Sequence, residues 1–84
     1  MHVTPPEPPV PNLSALRSVF NQRRAQSKMT YDQLAGATGL SRRTLLNIAA
    51  GTYSGDLSTW LILARVWEVG PTELFQPVWD NIED

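Results

Sequence analysis

Eighty-four residues with no cysteine and a single histidine, His2, allow one small domain. They exclude a disulfide framework and a cysteine-ligated zinc site and argue against histidine catalysis. No apolar run could span a bilayer and no signal-peptide pattern opens the chain, so a cytoplasmic protein without a membrane partner is expected. The formal net charge of −1 conceals an asymmetry: residues 17–43 sum to +5, with Asp32 the one acid, and residues 44–84 sum to −5, with Arg65 the one cation. Such a basic half can face a polyanion while the acidic half faces away.

In chain order, residues 1–11, "MHVTPPEPPVP", hold five of the seven prolines and read as a disordered or polyproline-II-like solvated tail. The P-x-x-P spacing within it is also the pattern bound by proline-recognising domains. A helical domain over residues 12–76 follows. Asn12 is the expected N-cap of a first helix reaching Ser27, with Leu13, Leu16, Val19 and Phe20 forming its apolar face. Thr30 caps a second helix from Tyr31 to Thr38, with Leu34 and Ala35 inward, and Gly39 suits the left-handed position that ends it. Ser41 caps a third helix from Arg42 to Ala50, with Leu45 and Ile48 inward and Gly51 as its stop.

"GTYSGD" is a loop by composition. Over residues 57–69 a fourth helix is apolar almost all round, which makes it central or the cover of a second surface. Pro71 opens a short fifth helix over residues 72–75. Residues 77–84 then form an acidic tail or a short extra helix carrying Val78, Trp79 and Ile82. No segment alternates with period two, so the expected fold is a compact all-α domain of five helices.

A short helix, a glycine-containing turn and a second short helix describe a helix-turn-helix. Residues 31–50 resemble the lambda-repressor/Cro-like (XRE) family closely. Ala35 stands where that family needs a small residue between crossing helices, and Gly39 stands in the turn. Leu34, Leu40, Leu45 and Ile48 occupy its buried positions. "LRSVFNQRRAQSKMT" looks like the family's first helix, and "LARVWEVGPTELF" like its fourth-helix end and fifth-helix start. The resemblance spans residues 13–75 and implies a lambda-repressor-like fold binding double-stranded DNA. Three positions depart from the pattern. Ala49 replaces a common glutamate, which leaves Arg24 exposed, near a phosphate or paired with another acid. Tyr31 replaces a phosphate-binding glutamine, and Thr38 replaces an aliphatic residue.

"SRR" concentrates the functional expectation. A helix beginning at Ser41 favours acids in its first turn, because its free N–H groups carry partial positive charge. Arg42 and Arg43 therefore oppose folding there by roughly 0.3–1 kcal/mol each. In the family this helix end enters the major groove, and the matching base-contacting positions are Arg42, Arg43 and Asn47. Arginine can donate two parallel bonds to guanine, and asparagine can pair bidentately with adenine. Leu46 could touch a thymine methyl or pack on the next loop. Expected phosphate contacts are Tyr31, Ser41, Arg24 and Lys28, with Thr52, Tyr53 and Ser54 in the loop.

The resemblance implies a transcriptional repressor of phage or bacterial Cro or immunity type on a near-palindromic operator, as a homodimer. Val78, Trp79 and Ile82 are the expected interface, while Trp60 and Trp67 read as core. An antitoxin-like or anti-repressor-like protein-interaction module, using the apolar C-terminal half, is the alternative. No nucleophile–base set, metal cluster or phosphate-cradling loop is present, so no enzyme, cofactor or small-molecule ligand is expected.

Overall fold

A computed structural model describes residues 8–80 of the chain. Its described residues form five α-helices and no strand: α1 (Ala15–Ser27), α2 (Tyr31–Thr38), α3 (Arg42–Ala50), α4 (Leu57–Trp67) and α5 (Pro71–Asp80). Helix α1 packs on α3 and α5, α2 packs on α3 and α4, and α4 packs on α5. Every helix supplies a fully buried side chain to one core: Phe20 from α1, Leu34 from α2, Leu45 and Ile48 from α3, Leu63 from α4 and Leu74 from α5. Of the expected inward residues of α2 and α3, Leu34, Leu45 and Ile48 are buried and Ala35 is half-buried against the core. None of the described helices is long and apolar enough to cross a membrane.

Local chemistry sets the boundaries. The Thr30 hydroxyl accepts from the Gln33 N–H, and the Gln33 side-chain oxygen accepts from the Thr30 N–H, a reciprocal capping box. Ser41 accepts from the Thr44 N–H, and Asp56 from the Thr59 N–H. Gly39 and Gly51 end α2 and α3 with φ of 78° and 83°. Lys28 and Glu68 end α1 and α4 in the same left-handed region without being glycine. At Lys28 the strained residue closes the helix by donating its N–H to the Arg24 and Ala25 carbonyls.

Four expectations are corrected. Helix α1 starts at Ala15, because Asn12 organises a preceding turn: its side-chain oxygen accepts from both the N–H and the hydroxyl of Ser14. Leu13, in that turn, is consequently 52% exposed and does not join the inward face. Helix α4 ends at Trp67, short of Val69, where Glu68 turns left-handed. Helix α5 runs through Pro77 to Asp80 and does not stop near Phe75. Pro77 removes one donor and crowds the carbonyl four residues back. Against that loss, Leu74 and Val78 are buried one turn apart, and the Asn12 N–H donates to the Val78 carbonyl at 3.0 Å. Val78 therefore belongs to the core, which overturns its expected place at a dimer interface. Ile82, and residues 1–7 of the expected proline-rich tail, lie outside the described residues; residues 8–11 are exposed and have no regular structure.

Trp60 is buried as expected, edge-on to Phe75 with ring centroids 5.7 Å apart, and Trp67 is half-buried against Phe20. The indole N–H of Trp60 donates to the Ser54 carbonyl at 2.7 Å, tying the loop before α4 to the core. Gly55 sits beneath that indole with φ of 81°, and a Cβ there would lie 2.6 Å from Trp60 Nε1. Gly55→Ala should therefore lower unfolding stability by about 2 kcal/mol, through left-handed strain and the displaced indole. Urea denaturation followed by tryptophan fluorescence measures it. The Thr59 N–H also holds the Asp56 carboxyl below the ordinary carboxylate pKa. This stabilisation is present above the unfolded value and is lost as pH falls through the folded one. Acid titration of Asp56→Asn should accordingly show a shallower loss of stability below about pH 4 than the parent chain.

Candidate nucleic-acid interface

The site is built on α2, the turn of Gly39, Leu40 and Ser41, and α3. The positive φ of Gly39 reverses the chain, and its N–H donates to the Ala35 carbonyl at 2.9 Å. Thr38 completes the turn: its hydroxyl donates to the Leu34 carbonyl at 2.7 Å and accepts from the Leu40 N–H at 3.1 Å. Thr38 thus satisfies the backbone on both sides of the turn. The Ser41 hydroxyl meets Thr44 at both its N–H and its side-chain oxygen. At the other end of α3, the Asn21 side-chain amide donates to the Ala49 carbonyl at 3.0 Å and to the Arg17 carbonyl at 2.9 Å. This bond fastens α3 to α1, and sequence periodicity carries no sign of it.

With Leu45 and Ile48 buried, α3 turns Arg42, Arg43, Leu46 and Ala50 to solvent, and Asn47 lies half-buried beside them. Arg43 enters no ion pair among the described residues. Arg42 leans towards α2, with its Nε 3.8 Å from Asp32 and the two side chains 62% and 85% exposed. A pair so open to water contributes little to stability. Neither arginine is therefore held down by the fold. The side chain of Asn47 is likewise uncommitted, whereas its carbonyl accepts from the N–H and the hydroxyl of Thr52.

The expected phosphate-contacting residues fall into different surroundings. Ser41 and Thr52 have hydroxyls engaged by their own helix ends, and Lys28, Tyr53 and Ser54 are exposed. Arg24 is half-buried and enters no ion pair among the described residues. Its guanidinium stacks over the Tyr31 ring, 4.3 Å from the centroid, and donates to the Met29 carbonyl at 3.2 Å. Its Nε is buried without a hydrogen-bond partner. Arg24 and Tyr31 thus hold each other at the joint between α1 and α2. Arg23 pairs with Glu73 of α5 at 3.7 Å.

No family model, curated protein or solved structure matches this chain. The arrangement of side chains is accordingly what bears on function. One cation that sequence reasoning passed over is Arg17. Its stem lies against Gly51, 3.1 Å from where a Cβ would project, and with Tyr53 and Ser54 it lines a polar surface cleft. Only the packing of α1 on α3 brings a residue of the first helix beside that loop. No cluster of three or more His, Cys, Asp or Glu side chains able to hold a metal occurs among the described residues.

Because one hydroxyl serves both halves of the turn, Thr38→Val should leave the Leu40 N–H without its partner at nearly constant volume. We expect a loss of about 1–3 kcal/mol, read by urea unfolding, with helical content preserved in the folded state.

Proposed function

We propose that α2, its turn and α3 form a helix-turn-helix of the lambda-repressor/Cro type, and that the chain is a sequence-specific double-stranded DNA-binding regulator. In this reading α3 enters the major groove at its Ser41 end. Arg43 and Arg42 donate to guanine O6 and N7, and Asn47 pairs with adenine one turn further on. The observation that carries the proposal is Arg43: an exposed arginine, without an ion pair among the described residues, in the first turn of a helix whose exposed face offers no acid to it. That position works against folding and suits an electronegative base edge.

Arg42 exchanges its weak contact with Asp32 for a base edge or a phosphate. Lys28, Arg17, Tyr53 and Ser54 are available for phosphates flanking the groove, and positioning contacts of this kind set register without reading sequence. Arg24 supports the site indirectly by bracing Tyr31. A single α3 covers only a few base pairs, so a near-palindrome read by two copies is the expected target, with repression by occupancy of an operator in the bacterial cytoplasm. Net charge near zero adds selectivity, since weak attraction to bulk DNA leaves the base contacts to decide binding.

Selection of the purified chain on a random duplex pool should enrich a near-palindromic site with guanine in each half. Arg43→Ala should weaken that site by about 1–3 kcal/mol per guanine contact and relax preference at that position. Lys28→Ala should weaken all sequences alike and reduce the salt slope by about one. The absence of any enrichment from folded protein at low salt overturns the proposal.

A further inference from the structure

One residue on the outward face of α3 is left unexplained by hydrogen bonding to bases. Leu46 is 42% exposed and is not among the side chains packed against the core, so the loop after α3 leaves it open to water. A single exposed leucine is ordinary on a protein surface; the position of this one is what carries information. At about 100° per residue, Arg43 and Ala50 lie within about 20° of each other, on the side away from the buried Leu45 and Ile48. Asn47 stands about 40° to one side of Arg43, and Leu46 about 60° to the other, towards Arg42. Arg43, Leu46 and Ala50, all exposed, thus follow one another along one stripe of the helix.

On the reading proposed above, α3 enters the major groove with this stripe foremost, and the role of Leu46 rests on that reading. A leucine carried in beside the two arginines loses its water and can neither donate nor accept a hydrogen bond. Set against the amino group of cytosine or the O6 of guanine, it strips that polar group of water and supplies no partner, which disfavours the pair. The apolar group that base edges display in the major groove is the C5-methyl of thymine. The methyl of 5-methylcytosine sits on the same ring carbon.

We infer that Leu46, with the methyl of Ala50 beside it, reads a pyrimidine C5-methyl group and so fixes a second position of the site next to the guanine of Arg43. Three residues separate Arg43 from Leu46, a rise of about 4.5 Å, against about 3.4 Å for one base-pair step. The methyl therefore lies within two base pairs of that guanine. Recognition here comes from shape and desolvation. It adds no charge, so it leaves the salt dependence of binding as the cations set it.

The test uses the full chain and the site enriched from the random pool, with each thymine replaced in turn by deoxyuridine. That replacement removes the methyl and keeps the base pairing. One such change in each half, within two base pairs of the guanine whose preference Arg43→Ala relaxes, should weaken binding about fourfold, the worth of one buried methyl. In Leu46→Ala the same change should matter less than about twofold, and the salt slope should match the parent's. Leu46 is exposed, so this variant should stay folded, which circular dichroism checks. With a C·G pair at that position, restored binding on 5-methylation of the cytosine admits both pyrimidines; no restoration assigns the contact to thymine alone. A site at which no thymine methyl matters, or at which deoxyuridine costs Leu46→Ala as much as the parent, overturns this role of Leu46 and leaves DNA reading by the arginines standing. Failure of the folded chain to enrich any site overturns that reading, and this role with it.

Discussion

No helix among the described residues is long enough to persist alone. The longest, α1, has 13 residues, and α2 has eight, lengths at which an isolated helix in water is marginal or unstable. Each exists because it buries at least one large side chain among Phe20, Leu34, Leu45, Ile48, Leu63 and Leu74. That mutual dependence explains how α5 continues through Pro77, since Leu74 and Val78 hold it from both sides of the interruption. It also explains why single polar groups matter at the joints. Thr38, Asn21 and the indole N–H of Trp60 each satisfy a backbone carbonyl that a short element would otherwise leave to water.

The charged residues divide according to the same economy. Arg24 and Arg23 serve the fold, the first through Tyr31 and the Met29 carbonyl and the second through Glu73. Asp56 serves it as a cap. Among the described residues Arg43 and Arg65 have no such partner, and Arg42 has only a loose one. These uncommitted cations fall on two different helices, and the proposed base-reading surface uses those of α3. A cation that nothing in the fold restrains is free to meet an external anion with little reorganisation.

Much of the architecture was legible residue by residue. Thr30, Gly39, Ser41 and Gly51 announce the ends of α2 and α3 because capping and left-handed turns are local chemistry, read within four residues. Leu34, Leu45 and Ile48 follow from helical period in the same way. The errors lie where a local signal met a distant contact. Asn12 looks like a helix cap, yet it organises a turn that is held to α5 through the Val78 carbonyl. Pro77 looks like a boundary, yet burial of Val78 carries the helix past it.

The sequence by itself determined an all-α chain, four of whose helices begin within a residue of their expected starts, and the placing of two arginines on the exposed first turn of α3. These depend on spacing and on groups at most four residues apart. Only the tertiary structure decided that Arg24 is committed to Tyr31, that Arg17 stands beside the loop after α3, and that Val78 is core while Leu57 and Leu61 are surface. A helix that is apolar all round offers no periodicity from which to choose its inward side. The choice is made by which neighbours pack against it, and those neighbours are far away in the chain.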